Sequence, residues 1–256
     1  DDYFYLVGNG GNSLYDIDWF KSNIQKNMDI KIENHTDKID ILHIAGPESQ
    51  KLLSSIDSRI DNTKFMKMKK IDNFGLSDIN INLFRVSFTG CLGYELHVDR
   101  SDSVKLYKLL KDNQTSKDMN LSLFGSMALN SLRIDKGYKT YVDLDYVHYL
   151  DAGIEPFIDT KKNIGKEHYN KISNGKISSK FRIHSEKGWE WSIISDSPII
   201  SYKNNEEQVI GYITSSALGT ESNETIALGY IDKNYINDTN CFAVCYGNNW
   251  KIDILN

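Results

Sequence analysis

The sequence predicts an α+β fold in two parts: a mixed body over residues 1–171, then a small antiparallel β-barrel over residues 172–256. Three observations predict it. Apolar residues repeat at helical spacing before residue 171, as at Ile17, Phe20 and Ile24. From about Ile172 the pattern changes to short alternating strands separated by Gly, Asn and Ser turns. Between Arg85 and Asp99 a strand enters a turn built on Gly90 and Gly93, and a second strand leaves it.

Taken in order, Tyr3 to Val7 reads as a strand and Gly8 to Asn12 as a glycine-rich loop. Ser13-x-x-Asp16 reads as a capping-box-like start to a helix reaching about Lys26. Lys31–Glu33 and Ile39–Ala45 read as strands. Gly46 ends the second, and Pro47 suits the first position of a helix that turns Leu52, Leu53 and Ile56 inward. A short element is expected near Phe65–Met68, and a strand over Ile81–Phe88. Ser101 or Asp102 caps a helix with Val104, Tyr107 and Leu110 on one face, and a polar connector covers Lys111–Asn120. A helix over Phe124–Lys136 ends at Gly137. Later strands are expected at 180–184, 190–195, 209–214, 225–231, 241–246 and 250–255.

Composition excludes several classes. The 256 residues carry a net charge of −5 with no basic run, which argues against a nucleic-acid partner. No apolar run reaches the length of a membrane span, so no membrane partner is expected. Three cysteines, Cys91, Cys241 and Cys245, suit a reducing compartment better than a disulfide scaffold. Cys241 and Cys245 share a strand face and read as core. The six histidines have no metal-ligand spacing, so no metal is expected. There is no phosphate-binding glycine loop ahead of a Lys-Ser/Thr and no G-x-S-x-G nucleophile turn.

After the Gly90–Gly93 turn, Tyr94, Leu96 and Val98 share one face, and Glu95, His97 and Asp99 share the other. Glu95 is either a solvent-facing acid or a carboxylate that holds a flat, donor-rich ligand edge. Asp16, in the first turn of its helix, is explained by the helix dipole alone; it is also a candidate acid–base group.

The segment "RVSFTGCLGYELHV" resembles the T-G-E-x-G-[FYW]-E turn of the folate-binding aminomethyltransferases, the family of the glycine-cleavage T-protein. That family includes the C-terminal parts of dimethylglycine and sarcosine dehydrogenases. "YFYLVGNGGNSLYDIDWF", "ILHIAGPESQKLL" and "ALNSLRIDKGYKTY" resemble further family segments in the same order, as does "GYITSSALGTESNETIALGYI". "NSLRIDKGY" is more similar to the dehydrogenase branch.

The resemblance implies a T-protein-like folate-binding body followed by a barrel, with the family's N-terminal segment and any flavin region lying outside this chain. It implies tetrahydrofolate as cofactor, with FAD only on an upstream flavin domain. The partners it implies are folate and a small N-methylated amine or its iminium. The product would be 5,10-methylenetetrahydrofolate, and the location the cytoplasm, or the mitochondrial matrix in a eukaryote. A free-standing aminomethyltransferase or demethylase, or a degenerate folate- or partner-binding homologue, are the alternatives. Residue by residue, Asp16 matches the catalytic acid, and Glu95 the pterin anchor with Tyr94 beside it. Asn9 and Arg133 fall in the matching N-x-x-N loop and S-L-R helix and are further folate-binding candidates, Arg133 being otherwise a solvated or salt-bridged surface group. Cys91, Leu129, Ser216 and Thr220 depart from the family's usual Glu, Arg, Gly and Pro.

Overall fold

The structure, a computed structural model, describes residues 3–116, 119–159, 164, 175–185, 193–203, 206–220 and 223–255. It divides into two compact units, one of Asp1–Ser87 with Cys91–Ser122, the other of Phe88–Gly90 with Leu123–Asn256.

In the first unit, helix α1 (Ser13–Asn23) precedes strand β1 (Ile39–Ala45) and helix α2 (Ser49–Ile56). Strands β2 (Met68–Ile71), β3 (Ile81–Phe84) and β4 (Gly93–Asp99) and helix α3 (Ser103–Ser116) follow. The four strands form an antiparallel sheet in the order β1-β4-β3-β2. Pairing of Ile44 with Tyr94, Leu42 with Leu96, and Leu83 with Leu96 puts these residues on one face. That face joins Leu53 of α2 and Leu106 and Leu110 of α3 in one core. Each such fully buried side chain contributes about 1.5–3 kcal/mol. The opposite face carries the partners of the alternate register: His43 and Phe84 lie across from Glu95, and Ile41 and Asn82 across from His97.

Several local expectations change here. Tyr3–Val7 and Lys31–Glu33 form no strand. Neither segment pairs with the sheet, and of Lys31–Glu33 only Ile32 is even half-buried. The helix after Asn12 starts without the capping box: a 3-10 turn, Gly10–Asn12, leads into it, and Asn12 makes no side-chain cap bond. In α3 the buried residues are Leu106 and Leu110, while Val104 and Tyr107 are exposed. The turn glycines divide their work. Gly90 has φ of +77°, and Gly93 sits where a Cβ would lie 2.9 Å from the Val86 carbonyl oxygen.

The second unit starts with α4 (Ser126–Asp135), α5 (Tyr141–Leu144) and α6 (Tyr149–Ala152). Strands β5 (Lys176–Ile183), β6 (Pro198–Lys203), β7 (Glu206–Leu218), β8 (Thr225–Asp232), β9 (Cys241–Cys245) and β10 (Asn248–Leu255) follow. They close a six-stranded antiparallel barrel, β10-β5-β8-β7-β6-β9, which leaves no open edge. Phe181, Ile199, Ile213 and Ala227 fill it together with Cys241 and Cys245, both free thiols. The barrel strands begin at Lys176, and the second compact unit takes in the chain from Leu123 onward as well as Phe88–Gly90. The reason is packing. Ile134 of α4 is buried against Ile226 and Leu228 of β8, and the Ser131 hydroxyl donates to the Leu218 carbonyl. Strand β6 was not anticipated. The turn expected at Ile164–Glu167 lies, beyond Ile164, outside the described residues. Of the strand expected at 190–195, residues 190–192 lie outside the described residues, and 193–195 form no strand.

Candidate functional site

Strand β4 turns Tyr94 into the core and Glu95 away from it, because successive strand residues face opposite sides. Tyr94 is 1% exposed and belongs to the sheet–helix core. Tyr94, expected beside a ligand or in the core, has its ring in that core.

Glu95 is half-buried, its side chain 26% exposed. Its Oε2 lies 3.0 Å from Nε2 of His97, the next residue on the same face. His97 is itself 2% exposed, and its Nδ1 lies 2.9 Å from the hydroxyl of Tyr5. The Tyr5 ring stacks on Phe84 at 5.9 Å and meets His97 edge-on at 5.7 Å, and Phe84 lies 4.5 Å from His97. The irregular N-terminal segment thus supplies an aromatic cover and a hydroxyl to a sheet face that would otherwise expose an imidazole.

The His97 hydrogen bond holds the Glu95 carboxyl below the ordinary glutamate range against the opposing effect of burial, and the nearby imidazoles of His97 and His43 act in the same direction. Burial lowers the His43 imidazole, and Glu95 partly offsets that. Burial, then Glu95, raises the Tyr5 phenol. The outcome is an ionised carboxylate with one oxygen fixed. Among the described residues, no hydrogen bond reaches its other oxygen.

Asp16 lies in the first turn of α1 and is half-buried. No hydrogen bond to its carboxylate occurs among the described residues. The preceding loop passes close by: a Cβ on Gly8 would sit 3.2 Å from Asp16 Oδ2. Asn9 caps the turn before α1, its Oδ1 accepting from the Gly11 N–H at 3.0 Å.

Arg133 has a different setting, in the second unit. It is 2% exposed, and its Nη1 donates to Asp143 Oδ2 at 2.5 Å and to the Tyr138 carbonyl at 3.1 Å, while Nε donates to Asn130 at 2.8 Å. The Arg133 guanidinium, expected either in a salt bridge or on folate, is held in a buried ion pair. Asp143 also accepts from Thr214 and Ser215 hydroxyls at 2.6 and 2.5 Å and from the Thr140 N–H at 2.9 Å. Burial pushes its carboxyl up, but the Ser215, Thr214 and Thr140 hydrogen bonds and the Arg133 charge carry it below its ordinary value.

No group of three or more His, Cys, Asp or Glu side chains among the described residues is placed to hold a metal ion. No helix among them is long and apolar enough to cross a membrane. Sequence reasoning placed His97 on the Glu95 face but gave it no role, and it missed Tyr5. The alternation of β4 carried the signal for the first. Tyr5 is 92 residues away in sequence, and no local pattern announces it.

Comparison with known proteins agrees with the fold. The chain is 31% identical over 176 residues to the mitochondrial dimethylglycine dehydrogenase of Homo sapiens, covering 66% of this chain and 20% of that protein. It is 29% identical over 237 residues to the aminomethyltransferase of Halothermothrix orenii, covering 90% of this chain and 62% of that protein. The crystal structure of glycine cleavage system aminomethyltransferase T from Bartonella henselae superimposes with a TM-score of 0.77 at 15% identity, over 96% of this chain and 65% of that one. The chain therefore spans a fifth of the dehydrogenase and under two thirds of the aminomethyltransferase. Residues 1–162 match the family described as the GCVT N-terminal domain, and the chain belongs to that family.

Proposed function

We propose that this chain is the folate-binding part of an enzyme that transfers a one-carbon unit from an N-methylated amine to tetrahydrofolate, giving 5,10-methylenetetrahydrofolate. The observation that carries this reading is the Glu95 site: a half-buried carboxylate, fixed at one oxygen and unbonded at the other among the described residues. A reduced pterin presents adjacent N–H donors on one edge. A carboxylate accepts there and donates nothing, so the donor set fits. When bound, tetrahydrofolate supplies the nucleophilic nitrogens.

The protein's own tasks are then small. Glu95 orients the pterin edge, and orientation is a large part of what a bimolecular transfer needs. Asp16 takes a proton or stabilises positive charge beside the reacting nitrogens. Asn9 shapes the loop that runs past Asp16, which gives it an indirect part in the site.

A second reading, a free-standing aminomethyltransferase, is supported by the longer match to the Halothermothrix protein, 90% of this chain against 66% for the dehydrogenase. Both readings use the same residues.

The experiment measures methylenetetrahydrofolate formation by the full-length protein and its Asp16→Asn variant, with the melting temperature of each. Asn keeps the shape but loses charge and basicity, so transfer should slow by about 10²–10⁴-fold. As a helix-end acid alone, Asp16 is worth at most about 1 kcal/mol of stability. Equal turnover in the variant with folate bound would leave Asp16 with only that role.

A further inference from the structure

We propose that Tyr5 and His97 form a positioning relay that sets the orientation and the ionised state of Glu95 for a reduced-folate edge. The proposal rests on the folate reading above and assigns a role to two residues outside it.

With the His97 ring neutral, the protons have one placement. An ionised carboxylate only accepts, so the His97 Nε2 that faces Glu95 Oε2 at 3.0 Å carries a hydrogen. In a neutral ring the other nitrogen then accepts, and the Tyr5 hydroxyl at 2.9 Å from Nδ1 is the donor. The chain runs one way: Tyr5 O–H to Nδ1, Nε2–H to Glu95. Every donor and acceptor of the 2%-exposed imidazole is used without charging it.

Packing holds the ring in that register. Phe84 lies against His97 with centroids 4.5 Å apart, and Tyr5 stacks on Phe84 at 21°. A Glu side chain on an open strand face samples several rotamers. Here one oxygen is tied, so the same edge of the carboxylate faces outward before any ligand arrives. Ordering in advance removes part of the cost of binding.

The groups facing Glu95 come from each neighbouring element. His97 lies on β4, His43 is across on β1, and Tyr5 comes from the N-terminal segment. From β3 come Phe84 and Asn82, which do not titrate. The following Arg85 donates to the Thr63 carbonyl, and its charge acts on the phenol of core-facing Tyr94 rather than on Glu95. His43 is thus the other titrating group to follow alongside the relay.

The test uses the whole chain with Tyr5→Phe, His97→Gln and Glu95→Gln variants. Tyr5→Phe keeps the ring stack and removes only the hydroxyl, so it guards against misfolding. Three readouts are taken: the His97 ring tautomer from long-range nitrogen–proton NMR, the Glu95 carboxyl titration from carbon NMR, and the Kd of 5-formyltetrahydrofolate, an oxidation-stable reduced folate. In the wild type, His97 is expected as the neutral Nε2–H form with Glu95 titrating below an ordinary glutamate. In Tyr5→Phe the two tautomers should mix, the Glu95 titration should move up, and the folate Kd should weaken by about 3–10-fold. His97→Gln should move both in the same direction. A packing role alone lowers the melting temperature and leaves the carboxyl titration in place. An Nδ1–H tautomer in the wild type, or an unmoved Glu95 titration in both relay variants, overturns the proposal. If the wild type binds no folate the folate reading falls, and the Glu95 titration still decides whether the relay exists. If Glu95→Gln loses folate while Tyr5→Phe does not, Glu95 remains the anchor and the relay does not position it.

Discussion

Two carboxylates, one in each compact unit, show what separates a structural acid from a binding one. Asp143 accepts from an arginine, three hydroxyls and a backbone N–H, and is 1% exposed. Its hydrogen bonds join α4, α5 and the barrel strand β7, and the Tyr230 hydroxyl of β8 donates to its backbone carbonyl at 2.6 Å. Glu95 accepts from one histidine and keeps an edge outward. Both titrate below their ordinary values, so the direction of a pKa shift does not distinguish them. Unspent hydrogen-bonding capacity at a partly open position does.

The comparison breaks hardest at Arg133. Arg133→Ala leaves Asp143 buried without its charge partner, which should cost about 3–5 kcal/mol in urea denaturation. A loss under 1 kcal/mol would mean that the hydroxyls alone hold Asp143. Tyr230→Phe removes one buried hydrogen bond from the same cluster and should cost about 0.5–1.5 kcal/mol by the same measurement. Asn9→Ala removes an exposed cap and should cost about 0.5–1 kcal/mol, read as a small drop in melting temperature.

A third carboxylate shows that the distinction does not depend on the unit. Asp57, in the Glu95 unit, accepts from Arg59 Nη2 at 2.6 Å, Arg59 Nε at 2.9 Å and the Gly75 N–H at 3.1 Å. The Arg59 hydrogen bonds lower its carboxyl from 3.8 to about 2. A folded-state pKa below the unfolded one gives stability that is present above about pH 4 and is lost as pH falls toward 2. Acid unfolding of Asp57→Asn should therefore be flatter than wild type across that window, and an identical acid limb would remove Asp57 from the set.

The local sequence made much of this legible. Helix α4 and Gly137, with its φ of +76°, follow from apolar spacing and a glycine past the helix end. Five of the six barrel strands follow from alternation, and β6 hides because Pro198-Ile199-Ile200-Ser201 does not alternate. The Glu95–His97 face follows from the period of two. Long-range partners do not. Tyr5 reaches His97 across 92 residues, and Thr214 and Ser215 reach Asp143 across 71 and 72. A local clue to Asp143 existed in Thr140-x-x-Asp143, a capping box at the start of α5. Arg133 read as a solvated or salt-bridged group, with a folate contact implied because its helix matches the family, and nothing near it in sequence identifies the partner ten residues on.

The most direct measurement is calorimetric titration of tetrahydrofolate into the wild type and the Glu95→Gln variant, with melting temperatures taken alongside. Gln keeps the shape but turns one acceptor oxygen into a donor, which mismatches a donor-bearing edge. The expected result is a loss of about 1.5–3 kcal/mol of binding free energy with the melting temperature nearly unchanged. Equal affinity in the two proteins would contradict it and return Glu95 to the structural acids.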